Sequence, residues 1–385
     1  MAFDIKTDFK LEIYVPAVTD FTLGVSELGS TKVLSAAGSS WIDIGSTMAS
    51  VNITNGPQVL SQIYTQPQPG ALIARFQSAT YDPNFNRKVR PGILIKCSVK
   101  DRFGNWVQLF YGTIATLDAV YNYDGSNIIT MVANDPLYDL VNKTADGFTS
   151  IGGITTDNFI SYAMTYLDTA PYFVSDTGVA HMTSVTGDYT VGELLNSAVT
   201  CEQGLLWYEP IISGFYFKNR NYVKTAITTT PQTYFSDVHS SSPTHSCYQD
   251  IQIGSQSNQL VNNVYSTSTD GTFSRHGFNT DSIQLYGNRV MRINLDLDKT
   301  ATEFTGWNQA AVGRIVQQSV QALTYKPISR NGELNDAVKL FVGSCVNVVK
   351  TIGSDTINQN FMVVNISHTI EPTTWQTTLG LWKGL

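Results

Sequence analysis

At 385 residues, with 42% hydrophobic and only 14% charged residues, the chain is too long for one small core and too apolar for a disordered segment. It is too poor in Glu and Lys for a coiled coil. Its 24 basic and 31 acidic residues leave a net charge of −7, which excludes the basic footprint that grips phosphate backbones or anionic membranes.

The N-terminal run MAFDIKTDFK carries acids where a secretion signal needs a basic stretch, so no signal peptide is expected. Nowhere do about 18 apolar residues follow one another, so no membrane-spanning helix is expected either. Strand signals are dense over residues 1–140. Phe9 to Val15, Ile93 to Val99, Trp106 to Ala115 and Asn127 to Val132 are β-branched or aromatic runs bounded by Gly, Asn, Asp and Pro. The stretches Lys100-Asp101-Arg102-Phe103-Gly104-Asn105 and Tyr123-Asp124-Gly125-Ser126 carry glycine where a tight hairpin turn needs positive φ. This predicts an antiparallel meander or barrel.

Over residues 141–235 the period changes. Thr155 or Thr156 can cap a helix with Phe159, Ile160, Ala163, Met164 and Leu167 on one face. Thr190 with Glu193 forms a capping box for a second helix, with Val191, Leu194, Leu195 and Ala198 as its apolar stripe and Gly204 at its end. A hairpin follows, Leu205 to Ile212 and Phe215 to Arg220. The segment predicts a small α+β domain that packs on its neighbours, with the Leu194 stripe facing the hairpin.

The polar stretch Ser236 to Ser246 reads as a domain boundary. Beyond it, residues 236–385 predict strands at Leu260 to Thr267 and Val290 to Leu297, then a helix from about Phe304 to Leu323 stopped by Pro327. A final meander comprises Val338 to Val349, Asn360 to Ile370 and Trp375 to Trp382. Its order of strand, polar hairpin and strand echoes residues 93 to 132, which suggests a second copy of one barrel motif.

Chemistry-bearing patterns are sparse. No G-x-S-x-G elbow or comparable cysteine signature is present. Glu202, Glu209, Asp296 and Asp298 are carboxylates of the type a glycosidase pairs, but one sequence cannot pair them, and a solvated strand end is the simpler reading. His239, His245 and Cys247 have metal-ligand side chains, yet a fourth ligand is missing, so the polar connector reading is preferred and no metal site is assigned. His368 shares a strand face with Val364 and Ile366 and reads as a hydrogen-bonded core or interface histidine. Ser150-Ile151-Gly152-Gly153 precedes a helix but lacks the lysine and spacing of a phosphate loop, so it reads as a turn. Cys97, Cys201, Cys247 and Cys345 stand far apart without a CxxC pair and read as reduced, buried thiols. With 19 tyrosines and aromatic residues at 11%, an interaction protein fits better than an enzyme. No catalytic residue, cofactor or metal is expected.

An ordered set of motifs resembles tailed-phage minor tail proteins, the tail-tip or baseplate hub family. It runs through Ser40-Trp41-Ile42-Asp43-Ile44, Val51-Asn52-Ile53-Thr54-Asn55-Gly56, Ala71 to Phe76 and Tyr81-Asp82-Pro83-Asn84-Phe85. It continues through Val89-Arg90-Pro91-Gly92, Gly112-Thr113-Ile114 and Ala133-Asn134-Asp135-Pro136-Leu137-Tyr138-Asp139-Leu140. Val364 to Ile370 with Trp375-Gln376-Thr377-Thr378-Leu379 is similar to the closing strands of the same proteins.

The resemblance implies a mainly β fold, with two tube-like antiparallel β-barrels at 1–140 and 236–385 and the α+β domain at 141–235 between them. It implies a structural, non-enzymatic virion protein, assembled in the host cytoplasm, whose ring closes the tail tube and lets DNA pass without specific binding. A homotrimer, giving six barrels, is favoured over a hexamer of the distal-tail type. A host-envelope carbohydrate-binding or hydrolytic module is the rival from another class. Implied partners are the distal tail protein, the tail tube, and tail-tip fibre or tape-measure proteins. The chain ends just after the second barrel pattern, without the C-terminal peptidase or receptor-binding extension of many hubs, so lysis or adsorption would fall to other proteins.

Overall fold

Along Phe9–Val15 every second residue is buried, the period of a strand with one face on a core, and the same alternation recurs through much of the chain. The computed structural model describes residues 4–15, 40–57, 66–78, 81–84, 89–123, 127–167, 171–237, 245–254, 260–313, 319–328, 334–353 and 355–383. The first unit holds a helical turn, α1 (Ile5–Asp8), and strands β1 (Phe9–Val15), β2 (Ser40–Asp43), β3 (Met48–Asn55), β4 (Ala71–Phe76), β5 (Leu94–Lys100), β6 (Trp106–Tyr121) and β7 (Asn127–Asn134).

Next come α2 (Pro136–Asn142), β8 (Thr144–Thr149), β9 (Ile154–Thr155), α3 (Thr156–Met164), β10 (Phe173–Ser175), β11 (His181–Met182) and β12 (Thr186–Thr190). They are followed by α4 (Val191–Glu202), β13 (Leu205–Glu209), β14 (Gly214–Lys218) and α5 (Arg220–Thr225). Strands β15 (Thr233–Ser236) and β16 (His245–Gly254) precede β17 (Asn263–Ser268), β18 (Ser274–Phe278), α6 (Thr280–Tyr286), β19 (Val290–Leu295) and α7 (Ala301–Val312). The chain finishes with β20 (Ser319–Tyr325), β21 (Cys345–Ile352), β22 (Asp355–Ile370) and β23 (Trp375–Trp382).

A continuous sheet runs β2-β1-β5-β6-β7-β4-β3-β22-β21-β15-β16-β20-β23, and β23 pairs back onto β22. Its last six strands therefore close into a barrel, filled by Phe235, Leu323, Tyr325, Phe361, Leu379 and their neighbours. The first seven strands curve around a separate core that includes Leu11, Val51, Phe76, Cys97 and Met131. Ile370 and Trp375 of the second barrel share that first core, so the two units are seated on each other. The fold is mainly β, as expected, but β15 lies parallel to both neighbours, so the second barrel is not purely antiparallel.

The two units repeat each other in register. β6 pairs β5 up to Thr113, then β7 from Thr113 to Tyr121, with a bulge between Ile114 and Thr116. β22 pairs β21 up to Met362, then β23 from Met362 to Ile370, with a bulge between Val363 and Asn365. β3 against β4 is irregular between Met48 and Ser50, and β16 against β20 is irregular between Tyr248 and Asp250. Bulges bend a strand and fix its register, so matching bulges at matching positions mark one motif used twice. On the far side β1 runs antiparallel to β5 and pairs β2, which turns through Gly45–Thr47 into β3, the other end strand of that row.

The α+β unit buries Leu137, Phe159, Leu195, Phe217, Val264, Leu295, Trp307 and others in one core. It therefore draws on two stretches, about 136–225 and 260–313, while Thr233–Ser236 joins the second barrel. We accordingly propose domain limits along these cores instead of at 140 and 235. Helix α4 lies against α2, α3, β12 and β19, sharing one core with the β13–β14 hairpin, so its stripe covers more than the hairpin alone. The capping box at Thr190 is formed, with both reciprocal bonds present. Gln203, not glycine, takes the left-handed position at φ 55°, and Gly204 follows because a Cβ there would stand 2.4 Å from the Lys218 carbonyl oxygen. Thr155 stands at the head of α3 without a side-chain capping bond.

Two other expectations are corrected. The helix predicted over Phe304 to Leu323 is α7, which ends at Val312, and Ser319–Tyr325 is a barrel strand with Leu323 and Tyr325 inward. Short apolar runs fit either period, and pairing to β16 and β23 decides this one. The strand expected from Val338 starts only at Cys345, because Asp336–Lys339 form a 3-10 turn capped by the Asn335 side chain. Residues 124–126 of the second predicted turn lie outside the described residues, while Gly104 in the first has φ 85° as expected.

Candidate functional site at the barrel junction

Several residues of the resembling motifs occupy corners and seams of the first unit, others lie on β22 and β23, and Phe85 lies outside the described residues. Asp43 accepts from the amides of Leu11 (3.3 Å) and Gly45 (2.8 Å), which fixes the turn from β2 into β3. Beside it Trp41 packs edge-on to Tyr14 at 5.4 Å and lies under the Lys96 ammonium at 4.3 Å. Asp82 accepts from the Asn84 amide (2.9 Å), the Tyr121 hydroxyl (2.8 Å) and the Asn127 amide group (2.9 Å). Burial pushes its carboxyl upward, but those hydrogen bonds outweigh it and hold the group below the usual carboxylate range.

Gly112 lies where β6 crosses the end of β7. An added Cβ would stand 2.0 Å from the Asn134 carbonyl oxygen, so the glycine of the Gly112-Thr113-Ile114 motif is a close-approach residue. Asp135 caps α2 through the Leu137 amide (3.0 Å) and also accepts from Gly70 (2.7 Å). Burial pushes its carboxyl up to about 7.

Between the first strand unit, the β13–β14 hairpin and the segment at Lys339 and Phe341 runs a groove of about 820 Å³, lined by Lys10, Trp106, Glu209 and Tyr216 among others. Glu209 sits at its base, accepting from the Ile211 amide (3.2 Å) and the Trp207 indole (3.4 Å), and burial pushes its carboxyl up to about 7. Lys339 is paired with Asp101 at 2.8 Å, and Lys10 lies over the Trp106 ring at 4.6 Å. The Gln108 side chain donates to the Pro210 carbonyl at 2.6 Å and ties β6 to the hairpin turn. The groove is a junction between units with its charges largely committed.

The other candidates separate into structural roles. Glu202 is fully buried and accepts from the Thr156 hydroxyl (2.7 Å), the Val179 and Ala180 amides (2.9 Å each) and the Arg220 amide (3.1 Å) and Nε (3.4 Å). It is not the solvated strand end that the sequence suggested. Asp296 accepts from the hydroxyls of Ser197 and Thr269, and Asp298 from the Lys299 amide. No hydrogen bond joins any two of these four carboxylates among the described residues, and no group of three metal-ligating side chains occurs among them.

His239 lies outside the described residues; His245 stacks on Tyr234 at 4.9 Å. All four cysteines are free thiols, but only Cys97, Cys201 and Cys345 are buried; Cys247 is exposed on β16, which corrects the expectation. Ser150 to Gly153 form a turn, with Gly153 at φ 78° and the Ser150 hydroxyl accepting from the Val185 amide. His368 is a core histidine as expected, bonded to the Thr377 hydroxyl at 2.8 Å with its ring against Trp375, and burial pushes its pKa down to about 4. Among the described residues no helix is long and apolar enough to cross a membrane. The sequence reading missed the groove because it is made by distant segments meeting, and no local pattern encodes that.

No protein-family model matches the chain, and no curated protein matches it. Solved structures do. The tail protein from Neisseria meningitidis MC58 superposes with a TM-score of 0.63 at 12% identity, over 97% of this chain and 96% of that one. The 43 kDa tail protein of prophage MuSo2 from Shewanella oneidensis gives a TM-score of 0.60 at 12% identity, over 98% of both chains. A chain of the Francisella PdpA–VgrG complex gives 0.53 at 11% identity, over 98% of this chain but 53% of that one. With one closed barrel, a second strand unit that repeats its pairing, an α+β unit and superposition over at least 96% of both chains on a tail protein and a prophage tail protein, the chain has the fold of these tail proteins.

Proposed function

We propose that this chain is a structural component of a bacteriophage tail tip, a hub whose copies form a ring that closes the tail tube and lets DNA pass. The observation that carries this reading is the strand-pairing motif used twice, joined within one chain by β3 and β22 and set in the fold of solved tail proteins. Two barrel motifs per chain favour three copies around a sixfold tube over six. A charge of −7 per chain leaves DNA free to slide, since binding to phosphates would need clustered cations. The proposed neighbours are the distal tail protein, the tail tube and tape-measure or fibre proteins, and the proposed place is the virion tail tip after assembly in the host cytoplasm. The role is structural, not catalytic. Electron microscopy of virions carrying a labelled chain tests it: label at the tail tip is expected, and label elsewhere ends the reading. Native mass near three chains is expected, and a mass near six favours the distal-tail alternative. Glycan binding or zymographic clearing by the isolated chain would favour an envelope-acting module instead.

A further inference from the structure

We propose that Glu209 and His368 are linked across a water-sized space where the three units meet, the protonated carboxyl donating and the neutral imidazole accepting through one water. The link makes the joint between the units sensitive to pH from both sides, and it stands independently of the ring reading.

Behind the groove lies a space of about 20 Å³. Gln108, Glu209, Ile211 and Phe341 border both, so Glu209 stands at the neck between them. Asn55 of β3 and Gln108 of β6 reach this space from the first unit, Glu209 of β13 from the α+β unit and His368 of β22 from the second barrel. A buried water needs about 10–15 Å³ and two to four polar partners. The space meets both conditions.

The hydrogen bonds already made decide what each group can offer. The two oxygens of Glu209 accept from the Ile211 amide and the Trp207 indole, and both of these partners only donate. Once protonated, the carboxyl carries an O–H that neither partner can take, and a buried donor without an acceptor is costly. His368 spends Nδ1 on the Thr377 hydroxyl, which leaves Nε2 for a second bond. The side-chain NH2 groups of Asn55 and Gln108 go to the carbonyls of Leu109 and Pro210, so their oxygens remain as acceptors. One water can accept from Glu209 and give its two hydrogens to His368 Nε2 and an amide oxygen.

Among the described residues no other charged side chain borders the space, and Tyr208 is the remaining titratable one. On the groove side Glu209 shares the walls with Tyr216, Lys10, Glu12, Lys96, Asp101 and Lys339, of which Lys96 pairs with Glu12 and Lys339 with Asp101. Opposite His368 stand Ile53 of β3 and Thr377 of β23, both uncharged. Burial keeps the Glu209 carboxyl protonated up to about pH 7 and His368 neutral down to about pH 4, so the link holds between those limits and is lost on either side.

The test follows both groups by NMR in the isotope-labelled full chain, with signals assigned from Glu209→Gln and His368→Gln. Linked sites titrate together, so in the parent each signal is expected to carry a smaller step at the midpoint of the other. Single steps in both signals overturn the link without any variant. His368→Leu removes the acceptor and is expected to lower the Glu209 midpoint by about one pH unit, the size of one hydrogen bond. Glu209→Leu is expected to raise the His368 midpoint by a similar amount. Added apolarity alone would move each midpoint the other way. Gln at either position keeps a hydrogen-bonding group and is expected to move its partner much less. Equal shifts with Leu and Gln, no shift, or shifts of opposite sign overturn the proposal.

Discussion

Replacing Glu202 by Gln tests whether this buried carboxylate is a structural organiser of the α+β unit. One carboxylate oxygen takes the Thr156 hydroxyl and the amides of Val179 and Ala180; the other takes the backbone and side chain of Arg220. A glutamine keeps the shape but can present only one acceptor oxygen. If that oxygen serves the first three donors, the new NH2 group faces two N–H donors of Arg220, itself only 6% exposed. Each buried donor left unsatisfied costs about 1–3 kcal/mol. Losing one partner of a buried ion pair costs about 3–5 kcal/mol, and because the two descriptions overlap we expect a total of about 3–5 kcal/mol. Hydrogen exchange at Val179 and Ala180 is the assay, since both amides end on this carboxylate. A loss of about 3–5 kcal/mol accelerates exchange by roughly two to four orders of magnitude when these amides exchange through opening of the unit. Adding Arg220→Met should recover part of the loss, because it removes the stranded cation. Exchange within about threefold of the parent in Glu202→Gln would refute the reasoning and leave Glu202 open to a chemical role.

Two buried groups give opposite pH slopes. His368 titrates at 6.5 ordinarily and at about 4 when folded, so the unfolded chain takes up more protons in that window and the second barrel loses stability as pH falls from 6.5 to 4. The loss is up to about 3 kcal/mol, and denaturant midpoints of His368→Gln should show a flatter profile there. Glu209 rises from 4.5 to about 7, so its contribution is present below 4.5 and is lost as pH climbs through 7. Glu209→Gln should remove that decline, and an unchanged profile in the same titration would count against burial as its cause. Thr190→Ala loses one cap and should cost about 1 kcal/mol, while Leu194→Ala empties a site that is 2% exposed and should cost about 2–5 kcal/mol; reversal of that order in thermal melts would contradict the packing described. Gly112→Ala forces backbone against backbone at the β6–β7 crossing and should destabilise by at least about 2 kcal/mol, with soluble yield and melting temperature as the readout.

What the sequence determined by itself were features whose cause is local. Phe9–Val15 and Trp375–Trp382 were readable to the residue because half-buried strands alternate with period two, and the Thr190–Glu193 box because a cap needs only residues three apart. The echo between residues 93 to 132 and 338 to 382 was visible as a repeated order of strands and turns. Tertiary structure alone decided what depends on partners. Ser319–Tyr325 became a strand because β16 and β23 stood ready to pair with it, against a helical spacing of equal quality. Residues 260–313 joined the α+β core because Val264, Leu295 and Trp307 found Leu195 and Phe159 across long stretches of chain, a meeting no window can register. Glu202 became a buried acceptor of five hydrogen bonds because α3, the Val179 segment and Arg220 converge on it. The register that matches β3 to β16 and β6 to β22 lies in hydrogen-bond pairing between strands, which side-chain identity records only faintly, and so it appears only once the sheet is assembled.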